Sequence, residues 1–163
     1  MDRETRNALI ARYRDGHAEV MRALDGITPA ELDFRPSPRA WSPRQVVHHL
    51  ADSEMTSAIR LRLLLAQDHP TIVGYDQDAF ADALFYDRPI EASLAAFRAA
   101  RETTADILER LDDEQFERMG THTEVGAFGV HRWLEIYAAH AHGHAEQIRR
   151  ARAAAGGPHG ARP

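Results

Sequence analysis

The 163-residue sequence predicts an all-α protein, a four-helix bundle with a long crossover connection. Three observations carry that expectation. Apolar residues recur at spacings of three and four through four long segments. No stretch alternates apolar and polar residues convincingly enough to read as a strand. Helix-start signals, with proline in the first turn, stand at Thr28-Pro29-Ala30-Glu31 and at Ser42-Pro43-Arg44-Gln45. With 44% hydrophobic residues, a chain of this length can fill one compact core, and four long amphipathic helices pack most economically as a bundle.

The first helix is expected over about Arg3 to Leu24, with Leu9, Ile10, Tyr13, Val20, Met21 and Leu24 on its core face. Thr28 opens one short turn, and Ser42 opens a second long helix that runs to about Gln67. His69-Pro70 ends it, because proline disfavours helical geometry in the residue before it. Asp68 to Glu91 is the least regular region, with turns at Gly74-Tyr75-Asp76 and Asp87-Arg88-Pro89 and a short helix between them over Asp78 to Leu84. A connection of that length in a small bundle is more often a functional crossover than a linker. The third long helix spans about Ile90 to Leu111, and Asp112-Asp113-Glu114-Gln115 begins a further short turn. Met119 to Gly129, with its glycines and threonines, reads as a loop or a small hairpin, and the fourth helix covers Val130 to Ala155. Gly156-Gly157-Pro158 ends it, so residues 1–157 form a single domain and 158–163 a disordered tail.

Composition narrows the chemistry. The formal net charge is -5, and the arginines are scattered among acidic residues, so nucleic acid is not an expected partner. All 20 cationic side chains are arginine, which excludes Schiff-base catalysis through lysine. Cysteine is absent, which removes disulfides, thiolate nucleophiles and sulfur-based zinc sites. Met1-Asp2-Arg3-Glu4-Thr5-Arg6 leads into no apolar h-region. Leu61 to Ala66 is broken by Arg62 and falls far short of a membrane span. A soluble, cytoplasmic protein without a membrane partner is expected.

The histidines are the most informative residues. His140 and His144 stand four apart in a helical segment, so both rings leave one face a turn apart. Trp133, Tyr137, His140, His144, Gln147 and Ile148 line one stripe, apolar at its ends with the two histidines at its middle. His142 lies about 200° around the helix from His140 and faces elsewhere. The HExxH pattern of zinc proteases is not met, because Ala141 follows His140. On its own an HxxxH pair more often marks solvated or hydrogen-bonded histidines than ligands. Far upstream, Val46-Val47-His48-His49-Leu50-Ala51-Asp52 sets two ionisable neighbours inside an apolar run. Adjacent helical residues diverge by about 100°, so only one of His48 and His49 can join a metal held by His140 and His144. His49 shares its face with Gln45, Asp52 and Ser53, a polar strip able to orient a ligand ring. The alternative for it is a satisfied core histidine. Three imidazoles without a fourth protein ligand describe an open, catalytic kind of metal site.

Trp41-Ser42-Pro43-Arg44-Gln45-Val46-Val47-His48-His49-Leu50-Ala51-Asp52-Ser53, together with His140-x-x-x-His144-x-x-Gln147, resembles the DinB/YfiT-like superfamily. The match is closest to its YfiT branch of metal-dependent hydrolases, linked to bacillithiol S-transferases. It extends through Ile59-Arg60, Pro70-Thr71-Ile72, Tyr75-Asp76 and Leu111 to Phe116, nearly the whole chain after the first helix. The resemblance implies a four-helix bundle with a long crossover, a homodimer through bundle faces, and one divalent metal on His49, His140 and His144. It is the resemblance that selects His49 over His48. Glu54 departs from the pattern, standing where the YfiT branch tends to carry another histidine, and is expected to alter the pocket wall.

A three-histidine metal with an open position can lower the pKa of bound water for hydrolysis, or stabilise a substrate thiolate for attack on an electrophile. The chain has no cysteine, so the thiol must arrive as a cosubstrate. The resemblance favours this second use: transfer of a low-molecular-weight, bacillithiol-like thiol to a small electrophile. Hydrolysis is the alternative, and a non-catalytic, metal-stabilised dimeric binding module is a third reading. Zinc suits three imidazoles best, with nickel next. Arg60 and Arg44 are candidates for holding an anionic cosubstrate, since guanidinium groups bind carboxylates bidentately. Asp52, Tyr75, Asp76, Tyr137 and Gln147 are candidates for supporting the ligands or closing the pocket, and Trp41 is read as a hydrophobic staple beside the Ser42 cap.

Overall fold

Local hydrogen bonds set where several of the helices begin. The computed structural model describes residues 1–156, and the tail expected over 158–163 lies outside the described residues. Helix α1 (Arg3–Leu24) starts at Asp2, whose carboxylate accepts from the Thr5 amide at 2.7 Å. The short α2 (Pro29–Asp33) and the long α3 (Pro43–Ala66) both begin with capping boxes and proline in the first turn. At α3 the Gln45 amide donates to Ser42 Oγ at 3.3 Å, and Gln45 Oε1 accepts from the Ser42 amide at 3.0 Å. The crossover then carries a two-residue strand, β1 (Thr71–Ile72), and a short helix, α4 (Gln77–Ala83), capped by Asp76. The third long helix, α5 (Glu91–Leu108), precedes one turn, α6 (Asp113–Phe116), a hairpin of β2 (Met119–His122) and β3 (Gly126–Gly129), and the last helix, α7 (Val130–Ala155).

Helix α1 packs against α7 and α5, and α3 packs against the same two, so α1 and α3 occupy opposite corners of the bundle. Two apolar clusters fill it. One gathers Tyr13, Leu61, Leu64, Trp133 and Leu134, and the other Val20, Leu50, Phe97 and Ile148. Met21 departs from the expected core face and is exposed, because the packed stripe of α1 runs through Tyr13, Gly16, Val20 and Leu24. The third long helix stops at Leu108 and not Leu111, where the backbone tightens as Arg110 N donates to Ile107 O and Leu111 N to Leu108 O.

Of the two readings of Met119 to Gly129, the structure has the small hairpin, and the crossover adds a strand that periodicity did not mark. β1 pairs in parallel with β2 through Thr71↔Thr121 and Ile72↔His122, and β2 pairs antiparallel with β3 from Met119↔Gly129 to His122↔Gly126. Strands of two to four residues are too short for alternation to register. Their effect is to pin the start of the crossover against the hairpin that leads into α7.

One buried charge network crosses the centre. Arg101 on α5 donates from Nη1 to Glu54 Oε2 at 2.6 Å, and from Nε and Nη2 to the Tyr13 carbonyl. Its Nη2 also reaches the Tyr137 carbonyl at 3.3 Å, and the Tyr13 hydroxyl donates to the other Glu54 oxygen. The space exists because residue 16 is glycine: a Cβ there would lie 2.6 Å from Arg101 Nη2 and 2.8 Å from Ala141 Cβ. Glu54 therefore faces the bundle centre and is not a pocket wall, contrary to the sequence expectation.

Removing one partner of such a pair strands a buried charge, so Arg101→Met should cost roughly 3–5 kcal/mol of unfolding free energy in urea titration. Pairing it with Glu54→Leu should recover much of that loss, since apolar replacement of both partners is often close to neutral.

Candidate metal centre

Helices α3 and α7 run antiparallel as neighbours, and Trp133 fixes their register by donating its indole N–H to the Ser57 carbonyl at 2.8 Å. About two turns from that bond, along each helix, lie His49 and His140. Their Nε2 atoms are 3.3 Å apart, and Nε2 of His144 is 3.1 Å from Nε2 of His140. The three rings thus turn one nitrogen each toward a common point, all within 4.8 Å of one another.

These donors fit a metal ion. Imidazole nitrogens at about 2.0–2.1 Å from a tetrahedral zinc stand roughly 3.3–3.4 Å apart, close to the observed spacings. The Gln147 amide oxygen lies 2.8 Å from Nδ1 of His144. Being an acceptor, it places the proton on Nδ1 and leaves the Nε2 lone pair facing the cluster. Burial keeps the rings neutral. It pulls His49 down to about 3, with the nearby His144 adding to the effect. His140 is lowered well below the usual imidazole value by burial and then by His144 and His49, and His144 is lowered by burial against the opposing pull of Gln147. A neutral imidazole can offer a nitrogen lone pair to a cation, so the three rings are in the charge state that a metal ion requires.

The expected supporting residues divide. Nδ1 of His49 and of His140 has no hydrogen-bond partner among the described residues, so packing orients both rings. Trp41 lies against His49 with ring centroids 4.8 Å apart, and Tyr137 meets His140 edge-on at 5.8 Å. Trp41 is therefore a wall of the site as well as a neighbour of the Ser42 cap. The polar strip read on α3 does not orient His49. Gln45 is held in the capping box, and Asp52 accepts from the Tyr86 hydroxyl at 2.7 Å. Asp76 caps α4 through the Asp78 and Ala79 amides, which accounts for its conformation without a role in the site. Arg44 is engaged with both carboxylate oxygens of Asp33 and with the Arg88 carbonyl, so it is not free to hold a cosubstrate. His48 points away: its Nε2 donates to the Arg88 carbonyl at 3.0 Å, and its Nδ1 accepts from Ser93 at 2.8 Å. His142 turns to the Arg12 carbonyl.

Arg60 and Tyr75 gather around Tyr137, the neighbour of His140. Arg60 donates from Nη1 to the Tyr137 hydroxyl at 3.2 Å and from Nη2 to the Val73 carbonyl at 2.6 Å. Its guanidinium carbon lies 5.6 Å from the centre of the Tyr75 ring. Burial raises the hydroxyl pKa of both tyrosines, with Ser53 opposing it at Tyr75 and Arg60 opposing it at Tyr137. A cleft of about 250 Å³ lined by Arg39, Trp41, Gln77, Asp78, His144 and Gln147 reaches the cluster. A larger one, about 370 Å³, borders Asp33, Arg44 and Tyr86 and touches none of the three histidines, so the smaller cleft is the relevant one. Sequence reasoning missed Tyr86 and Arg39, which sit in irregular connections where no periodicity marks a face.

A four-helix bundle that brings one buried and two half-buried histidines from two helices to the end of a cleft defines a class of metal-site helical proteins. The family model of the DinB superfamily matches residues 12–148, and the chain belongs to that superfamily. It is 32% identical over 151 residues to a proposed metal-dependent hydrolase of Oceanobacillus iheyensis, covering 90% of this chain and 88% of that one. A proposed metal-dependent hydrolase of Bacillus cereus is 30% identical over 139 residues, covering 85% and 80%. Among solved structures, YfiT from Bacillus subtilis, described as a probable metal-dependent hydrolase with an unusual four-helix bundle topology, superposes with a TM-score of 0.87 at 29% identity. That match covers 93% of this chain and 87% of the other. Among the described residues no helix is long and apolar enough to cross a membrane.

Elemental analysis of chelator-washed protein reloaded with zinc or nickel should give about one ion per chain, the stoichiometry of one three-histidine site, and His49→Ala should lose it. Proton linkage gives a second expectation. Folded His49 stays neutral down to about pH 3, whereas the unfolded chain takes up that proton near pH ~6.5. The unfolded state therefore binds more protons between those values, and the metal-free protein loses stability as pH falls through that window. Urea midpoints should drop less steeply below pH ~6.5 in His49→Phe than in the parent.

Proposed function

We propose that the protein transfers a low-molecular-weight, bacillithiol-like thiol to small electrophiles, using one divalent metal ion on His49, His140 and His144, zinc first and nickel second. The observation that carries this reading is the convergence of three neutral Nε2 atoms at a cleft in a chain without cysteine of its own. When bound, the ion supplies Lewis acidity, which lowers the pKa of a thiol or a water. The chain's residues do the rest. Gln147 holds His144 in the donor tautomer, Trp41 and Tyr137 fix the other two rings by contact, and the apolar wall at Trp41 limits water beside the cluster. In the transfer, the sulfur forms a bond to carbon, the leaving group departs with its electron pair, and the thiol proton passes to solvent. The reaction belongs in the cytoplasm, where such thiols are kept reduced, and the working unit is a homodimer.

Hydrolysis is the second reading, favoured by the names of the Oceanobacillus, Bacillus cereus and Bacillus subtilis relatives. Mass spectrometry of zinc- or nickel-loaded protein, incubated with bacillithiol or glutathione and an alkyl halide or ester, separates the possibilities. A thioether from the halide, or a thioester from the ester, supports transfer, and an acid or alcohol product formed without thiol supports hydrolysis. Fully loaded protein that forms neither would leave the non-catalytic binding module. Whichever product appears, Gln147→Ala should lower its rate about 10–100-fold, the usual cost of losing the hydrogen bond behind a histidine ligand. His144→Ala should lower it by at least about 100-fold.

A further inference from the structure

The cleft that reaches the histidines carries one free charge of each sign. Arg39, in the connection before α3, and Asp78, in the first turn of α4, line it together with Trp41 and His144. Both are exposed. Among the described residues neither side chain forms an ion pair or a hydrogen bond, with the other or with any third group, whereas Arg44 nearby is bound to Asp33. Their backbones, in contrast, are held in place. Arg35 donates to the carbonyls on either side of Arg39, that of Pro38 at 2.6 Å and that of Ala40 at 2.9 Å. The Asp76 carboxylate accepts from the Asp78 amide at 3.0 Å. Fixed attachment points thus set two unpaired, opposite charges on the border of the space through which a ligand would approach the cluster.

That pair of charges sorts ligands by sign. A ligand carrying an anion alone is attracted by Arg39 and repelled by Asp78, and one carrying a cation alone meets the reverse. A ligand bearing both gains at both borders, so the repulsive half of the arrangement selects as much as the attractive half. A guanidinium suits a carboxylate through paired N–H donors, and an ammonium has three donors to offer a carboxylate. A space of about 250 Å³ falls below the roughly 300–1,000 Å³ of sites for drug-sized molecules, and suits a modified amino acid or the end of a short peptide. We infer that Arg39 and Asp78 determine specificity, Arg39 taking a carboxylate and Asp78 an ammonium of the same thiol. The site then prefers zwitterionic, amino-acid-derived thiols to thiols with one kind of charge or none. The inference rests on the reading of the histidine cluster as a thiol-binding metal centre.

Tryptophan fluorescence tests this, because Trp41 lines the cleft while Trp133, the other tryptophan, is wholly buried. Zinc-loaded protein, with parent and variants matched in zinc content, is titrated with glutathione and two derivatives. N-acetylglutathione lacks the ammonium, and the diamide of glutathione lacks both carboxylates. The parent should bind glutathione about two- to fivefold more tightly than either derivative, the scale of one exposed ion pair. Arg39→Gln should lose the preference over the diamide and keep the preference over N-acetylglutathione, and Asp78→Asn should do the reverse. Equal binding of all three by the parent, or a preference that survives removal of its own residue, overturns the inference. S-methylglutathione keeps both charges and cannot supply a thiolate, so it separates this inference from the thiol reading. If glutathione binds no better than its S-methyl form while each variant loses its own preference, the two anchors are supported and the thiol reading has failed. If glutathione binds better and the charge preferences are missing, the thiol reading stands and the anchors are overturned. Absence of binding by all four overturns them as well.

Discussion

Arg101 donates to Glu54 on α3 and to backbone carbonyls of Tyr13 on α1 and Tyr137 on α7, so one guanidinium on α5 joins all four long helices. A buried charge tolerates little rearrangement, because any shift that opens one of these bonds exposes the full desolvation penalty. The helices are therefore held in one arrangement by a constraint that apolar packing alone would leave softer. Glycine at position 16 follows from it, since α1 must let both Arg101 and α7 approach its backbone. The geometry of the histidines follows too. Tyr137, whose carbonyl Arg101 holds, is one turn before His140, and Glu54 is little more than one turn after His49.

The histidine cluster has an uneven support. His144 is oriented by a directional bond to Gln147, whereas His49 and His140 are oriented by the faces of Trp41 and Tyr137. A hydrogen-bonded ligand keeps its tautomer and is made more basic. Rings held by aromatic contact keep their place without that electronic push, so an ion in this site would retain more of its acidity.

Much of the fold was legible because helices advertise themselves through a pattern repeated many times. Arg3–Leu24 and Val130–Ala155 match their expected bounds, and the two proline-containing capping boxes mark their helix starts. The sheet was hidden because its register is a relation between residues 71–72 and 121–122, about which neither short segment carries information alone. The site divided in the same way. His140 and His144 share a face by local spacing, and the structure sets His49 beside them. Which neighbours support them is a long-range matter. Asp52 finds Tyr86, and Arg44 finds Asp33, through chain paths that no helical wheel displays. The Glu54–Arg101 pair was invisible for the same reason, each residue reading locally as a charge on a helix.

The ligands come from only two helices, and those helices are far apart in sequence: 91 residues separate His49 from His140. Any ion that the three nitrogens share is therefore a cross-link between the two helices. Closing a loop of this length removes chain entropy from the unfolded state, about 4–5 kcal/mol in the treatment used for disulfides. A chain with no cysteine has no covalent way to obtain that restraint. Metal supply would then govern how long the protein persists in the cell, since the same atoms that hold the ion would also tie its two halves together.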